Sequence, residues 1–415
     1  MLNILFPEAF AKYSGLHILG IVADGFDDWL AERGYVFGSR RNMLAMLPRV
    51  EENLLQCGVG SLEEVSRAEL HTCWKALIRI YPNEAGSVRV LGDYLSSRGL
   101  LKTVQPAAMT RSEQYIAAYA AFLKTVRGVS TSTLNRHLAT STAFLIHLGL
   151  EEDSDRLRSL TASDLEPFVK KCGQRLSRAS LQHTVAELRG FLRFLGVRGE
   201  TRPGLENQID TPRVYREEQL PRALPWETVR AFLRSIDRSG RQGLRDYTMF
   251  LLMASYGLRP IEVRSLTLDQ IDWRVDKILI PQTKNSAVLE LPLTDEAGSA
   301  LIKYLKKVPP QPGYRHIFLR MRAPIGTLRQ GAVTEAFHSW SARSGLNIPY
   351  GPHCIRHSYA VYLLKKGTSL KTIGDLLGHR SAESTSMYLR LATEDLREVA
   401  LPVPKNRGGR GEVHP

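Results

Sequence analysis

The sequence predicts a mainly helical protein whose C-terminal part is mixed α+β, and three observations carry that expectation. Apolar side chains recur at helical spacing through residues 111 to 196, as in "YIAAYAAFLKTV", "STLNRHLATSTAFLIHLGL" and "LQHTVAELRGFLRFLG". The same rhythm resumes at Pro225 and "WETVRAFLRSI" and runs to about residue 400. It is broken once, by "KILIPQTKNSAVLELPL", where β-branched and leucine residues alternate around "TKNSA" as they do in a β-hairpin.

Each segment follows from local chemistry. Residues 1 to 105 form an N-terminal helical domain, and within it residues 26 to 70 run in the order aromatic and leucine helix, glycine turn, Ser-led helix and "SLEEVSRAEL". The stretch from "YAAFLKTV" to "LTASDLEPF" follows the same order, which fits either a degenerate duplication or two bundles with common capping signals. Residues 106 to 198 make a second helical domain, in which "LTASDLEPFVKK" is a short helix with Thr161 or Ser163 as N-cap. Residues 199 to 224, rich in proline and charge and without periodicity, are a linker. Residues 225 to 400 form the last domain, and 401 to 415 a Pro, Gly and charge-rich disordered tail.

The 415 residues are enough for roughly two to four domains with buried cores, and 43% apolar with 24% charged residues is ordinary for a globular chain. The 56 Lys+Arg against 42 Asp+Glu give a net charge of +14, which points to a polyanionic partner. The excess is uneven: residues 1 to 105 carry 11 basic and 12 acidic side chains, 106 to 200 carry 13 and 9, and 201 to 415 carry 32 and 21. Cys57, Cys73, Cys172 and Cys354 form no CxxC pair, so neither a disulfide framework nor a zinc site is expected. The start lacks the basic region and apolar run of a secretory leader, and no apolar run reaches membrane-spanning length. A cytoplasmic protein without a membrane partner is expected.

The chemistry concentrates near the C-terminus. "GPHCIRHSYAVYLLKKGTSLKTIGDLLGHRSAESTSMYLRLA", residues 351 to 392, gathers His353, Arg356, His357, His379 and Tyr388 in a chain with 11 histidines. His353 and Arg356 share a helix face by their spacing. Arg259, in "SYGLRPIEVRSLTLDQID", sits before Pro260, a residue suited to the first helical position, so its guanidinium is expected at a helix entrance with Glu262 to steady it. Two guanidinium groups can hold the non-bridging oxygens of one phosphate through charge-assisted hydrogen bonds at any working pH.

Taken singly, each residue has an ordinary reading. Tyr388 would be a partly exposed helix tyrosine, Lys284 a solvated turn residue, Arg259 a salt-bridge partner of Glu262, Cys354 a small buried side chain, and His357 a helix cap or support. Taken together, "GLRPIE", "TKNS", "HCIRHSYAVYLLKKG", "LLGH" and "STSMY" resemble the tyrosine recombinase (phage integrase) family, in its order and approximate spacing across residues 225 to 392.

The resemblance implies Arg259, Lys284, His353, Arg356 and His379 as catalytic residues, Tyr388 as nucleophile, and Glu262 and His357 as supporting residues. It assigns residues 106 to 198 to a SAM-like core-binding domain that contacts DNA, residues 225 to 400 to the catalytic domain, and no established role to residues 1 to 105. It implies no metal or other cofactor, a double-stranded DNA site as partner, and a homo-tetramer on DNA or an assembly with partner recombinases. Integration, excision or transposition of a mobile element is the expected setting. Two other functions share these features. A topoisomerase IB-like enzyme usually carries a third arginine where this chain has His379, and a non-catalytic DNA-binding relative would not need the full residue set.

Overall fold

The computed structural model describes residues 7–102, 109–151, 153, 155–213, 222–282, 288–379, 381 and 383–391. Lys284 and residues 392–415, which include the tail from residue 401, lie outside these residues. The chain divides into two compact units, one of residues 103–219 and one joining residues 1–102 to residues 220–415.

The 103–219 unit is a four-helix bundle of α7 (Arg111–Thr125), α8 (Thr131–Leu148), α9 (Ala162–Gly173) and α10 (Arg178–Val197), preceded by six helices in residues 7–102. Its starts are written in the sequence. Thr110 with Glu113 and Thr161 with Asp164 close reciprocal capping boxes, while Ser130 and Ser177 accept from backbone N–H groups of the first turn. Gly149 ends α8 in the left-handed conformation at φ 66°. Tyr119, Phe144, Phe191 and Leu188 fill the core. The segment read as linker departs from expectation: a 3₁₀ turn at Leu205–Gln208 brings Leu205 and Ile209 into that core. Two apolar side chains, four residues apart, outweigh the surrounding proline and charge.

The other unit holds separate cores. Residues 7–102 contribute α1 (Pro7–Ser14), α2 (Gly20–Glu32), α3 (Phe37–Ala45), α4 (Leu47–Gln56), α5 (Arg67–Ile80) and α6 (Gly86–Ser97) around Phe26, Leu30, Leu54 and Tyr94. Buried Asp27 is paired with Arg40, and buried Glu51 accepts from the backbone N–H groups of Ile18 and Leu19, so each enclosed carboxylate is satisfied. The α2–α3 turn reaches the rest of the unit, where the N–H of Ile325 donates to the carbonyl of Arg33 at 3.4 Å.

The larger core lies within residues 224–355 and is crossed by α12 (Arg241–Tyr256), which follows α11 (Trp226–Ser235) and is buried along most of its length. After α13 (Pro260–Ser265) comes an antiparallel sheet in the order β1 (Ile271–Asp272), β2 (Lys277–Pro281), β3 (Val288–Pro292). The expected hairpin is β2–β3, in register Ile278 with Leu291 and Ile280 with Leu289. The short strand β1 was not expected, because two residues carry no readable alternation. Helices α14 (Asp295–Lys307), α15 (Ala332–Arg343), α16 (His353–Lys365), α17 (Leu370–Leu377) and α18 (Glu383–Ser386) complete the described chain, with a 3₁₀ turn at Met387–Leu391. The helical pattern is also broken between α14 and α15, where isolated bridges join Thr267 to His316 and Leu319 to Thr327.

A candidate active site at the meeting of four helix ends

The site is assembled from helix termini, each set by its local sequence. Helix α12 stops at Gly257, which adopts φ 63°. A Cβ there would lie 2.5 Å from Leu377 Cδ2 and 2.8 Å from Tyr359 Cδ1, so glycine permits both the turn and the approach of α16 and α17. Two residues on, Arg259 is the N-cap of α13 and Pro260 its first residue. The Arg259 N–H donates to Glu262 Oε2 at 2.7 Å and its Nη1 to Glu262 Oε1 at 2.7 Å. The ordinary reading of Arg259, as the salt-bridge partner of Glu262, is thus met in the structure.

Arg356, buried on α16, donates from Nη1 to the carbonyl of Gly257 (2.7 Å) and from Nη2 to that of Leu377 (2.6 Å). Both acceptors close helices, where unpaired carbonyls and the helix dipole favour a cation. One guanidinium thus ties α12 and α17 to α16, and two of its five N–H donors are used in doing so. Burial, then the nearby Arg259 cation, lowers its pKa to about 10, which leaves it charged at neutral pH.

Helix α17 ends at Gly378 (φ 61°), and His379 follows. Its Nδ1 lies 2.8 Å from the Thr385 hydroxyl, which fixes the ring against α18. Enclosure, followed by the Arg356 and Arg259 cations, lowers the His379 pKa to about 4. His353 opens α16 and is exposed to solvent at one side. Its pKa is lowered by the protein around the ring and by Arg356 and Arg259, with Glu262 opposing.

Tyr388 differs from the exposed helix tyrosine that its position alone suggests. It is only 1% exposed and packs with Ala360, Ile373 and Leu377, in a small apolar cluster separate from the main core. Its hydroxyl lies 3.0 Å from Nδ1 of His357, and the His379 ring stacks on it with centroids 6.3 Å apart. Burial raises the phenol pKa, a rise that Arg356 and Arg259 oppose only in part. His357 is held to about 4, first by burial and then by His353, Arg356 and Arg222, so it is neutral at pH 7 and its Nδ1 can accept the phenol proton.

The structure therefore brings Arg259, Glu262, His353, Arg356, His357, His379 and Tyr388 into one electrostatic neighbourhood, and Lys284 lies outside the described residues. Sequence reasoning gave His357 no chemistry, yet it is the hydrogen-bond partner of Tyr388. Its signal was the four-residue spacing from His353, which puts both rings on one face of α16. Thr385, inside the "STSMY" motif, and Gln282, whose Oε1 accepts from Arg259 Nη1 at 3.2 Å, were given no role by the sequence. Cys354 is a buried small side chain, its thiol pushed up to about 12 by desolvation. No cluster of His, Cys, Asp and Glu with metal-holding geometry occurs among the described residues, nor does a helix long and apolar enough to cross a membrane.

Known proteins resemble this chain in sequence and in fold. Residues 223–395 match the phage integrase family and residues 116–199 the "Phage integrase, N-terminal SAM-like domain". The chain is 32% identical over 390 residues to "Putative integrase/recombinase y4rA" of Sinorhizobium fredii, a match covering 91% of this chain and 93% of that protein. It is 30% identical over 284 residues to tyrosine recombinase XerD of Listeria monocytogenes, covering 67% and 94%. Among solved structures, a lambda integrase dimer bound to a COC' core site shares the fold at TM-score 0.54 and 18% identity, over 71% of this chain and 99% of that one. XerH site-specific recombinase in a post-cleavage complex with palindromic difH substrate does so at TM-score 0.53 and 19% identity, over 68% and 83%.

Proposed function

The chain belongs to the phage integrase family, the tyrosine-type site-specific DNA recombinases, and from that premise we propose that it cuts and rejoins double-stranded DNA through a covalent bond to Tyr388. The observation that carries this reading is the Tyr388 phenol lying against a neutral imidazole, with the Arg259 and Arg356 cations acting on it. A phenol with an unperturbed pKa of ~10 is a weak nucleophile at neutral pH, and that pairing of base and cationic surround is what it needs.

In the proposed step the Tyr388 oxygen attacks a backbone phosphorus in line with the bond to the 5′ oxygen. The new P–O bond gives a 3′-phosphotyrosyl link, the P–O5′ bond breaks, and the 5′ oxygen leaves as a hydroxyl. The phenol proton passes to an imidazole, for which His357 is in hydrogen-bond contact and His353 lies on the same helix face. Lys284 is assigned the proton for the leaving oxygen. Arg259, Arg356 and His379 stabilise charge on the non-bridging oxygens, a kind of contact worth ~3 kcal/mol of barrier per donor. Attack by a 5′-hydroxyl of another strand reverses the step, releases Tyr388 and rejoins the DNA.

Exchange between two duplexes calls for four such sites, so a tetramer on DNA is the proposed assembly, with residues 106–198 as the core-binding domain gripping the duplex. Integration or excision of a mobile element is the favoured setting. The y4rA match covers 91% of the chain and so extends into its first hundred residues, whereas the XerD match covers 67%. The test is a supercoiled plasmid carrying two copies of the DNA flanking the gene. Wild-type protein should exchange the two sites and Tyr388→Phe should not; relaxation of the plasmid without exchange would favour the topoisomerase-like activity.

A further inference from the structure

Gln282 follows β2 directly and is only 8% exposed, although it stands two residues before Lys284 in an otherwise polar turn. Its Oε1 accepts from Arg259 Nη1 at 3.2 Å, so the same nitrogen that donates to Glu262 Oε1 at 2.7 Å is shared between Glu262 and Gln282. Its Nε2 is enclosed and has no hydrogen-bond partner among the described residues. The amide lies over the backbone of Gly378, where a Cβ would come within 2.5 Å of Oε1 and 2.8 Å of Cδ. Gln282 therefore touches Arg259 and the turn that launches His379, from the root of the hairpin that carries Lys284.

An enclosed amide with one end unmet is unfavourable as a packing element, since an apolar side chain of the same size would fill the space without stranding a donor. The cost makes sense if the other end of the amide has a task. Glu262 alone fixes Arg259 from the side of its own helix, and a guanidinium held from one side can still pivot. A second acceptor on Nη1 removes that freedom by engaging the same nitrogen from another element of the fold, which is how a cation is preorganised for an anion.

We propose that Gln282 is a positioning residue for strand cleavage, acting through Arg259: its Oε1 sets the direction of the guanidinium that neutralises the scissile phosphate, and its unmet Nε2 donor marks the place where an acceptor arrives with the DNA. The inference rests on the recombinase reading above.

The test compares wild type with Gln282→Met, an unbranched replacement of similar size, in single-turnover cleavage of a nicked suicide substrate. One substrate carries the normal phosphodiester and the other a methylphosphonate at the cleavage position. The methylphosphonate is neutral, so a residue that works by aiming Arg259 at a charged oxygen loses its importance there. Gln282→Met should cleave the phosphodiester at least about 10-fold more slowly than wild type, and the methylphosphonate within about 3-fold. Rates expressed per molecule of DNA-bound protein cancel any difference in folded fraction. Equal deficits on the two substrates, or no deficit on the phosphodiester, would overturn the role. Absence of any adduct with wild-type protein would instead reject the recombinase reading, before Gln282 is at issue.

Discussion

The hydroxyl of Tyr388 and Nδ1 of His357 are 3.0 Å apart, and that contact lies inside an apolar cluster rather than at an open surface. The phenol is thus hydrogen-bonded to an imidazole before any DNA is present, and Nδ1 is the acceptor when the ring proton sits on Nε2. A neutral imidazole in that position can take up the proton as the phenol oxygen attacks.

If His357 accepts that proton, His357→Leu should slow covalent adduct formation by about 100-fold, while DNA binding stays near wild type. His353→Leu should cost less, because His353 opens the helix with a solvent-exposed face. Single-turnover rates of the two variants on one suicide substrate decide between them. A larger loss at His353 would move the base to that residue.

Thr385 should matter through His379. Removing its hydroxyl with little change of shape, as in Thr385→Val, leaves the His379 ring without its 2.8 Å partner. Cleavage should fall roughly 10-fold and stability by about 1 kcal/mol. Comparison with His379→Gln checks the route: the double variant should be little worse than His379→Gln alone.

Arg356 has a structural role as well as the proposed chemical one. Arg356→Ala would strand the carbonyls of Gly257 and Leu377 inside the protein, and the expected loss is about 3 kcal/mol or more in urea denaturation. Loss of activity in that variant should therefore come with loss of fold, unlike the activity loss in Tyr388→Phe.

Stability should depend on pH through two histidines. His357 and His379 have folded pKa values of about 4 against an ordinary 6.5, so between those values the unfolded chain binds more protons than the folded one. Stability is then full above about pH 6.5 and falls as pH drops towards 4, by on the order of 3 kcal/mol at most for the more enclosed His357 and by less for His379, whose ring is partly screened by solvent. Urea midpoints measured from pH 7 to pH 4.5 should drop in wild type and flatten in His357→Gln and His379→Gln.

Much of the site was legible because its residues are fixed by local signals. Pro260 placed Arg259 at a helix entrance, Glu262 three residues on closed the capping box, and the hairpin showed in its alternation. What could not be read depends on contacts between distant parts of the chain. Arg356 meets Gly257 across 99 residues, and Gln282 meets Arg259 across 23. No periodicity encodes such a meeting. The burial of Tyr388 was hidden for the same reason, since its partners Ala360, Ile373 and Leu377 lie on two other helices. Leu205 and Ile209 were missed because charge and proline around them outweighed two apolar residues by eye, although the fold weighs them by the surface they bury.

The most direct measurement is peptide mapping of the covalent protein–DNA adduct formed on a nicked suicide substrate drawn from the DNA flanking the gene. The account predicts one modified peptide, carrying a 3′-phosphonucleotide on Tyr388, and no adduct from Tyr388→Phe. A modified residue other than Tyr388, or an adduct that persists in Tyr388→Phe, would contradict it.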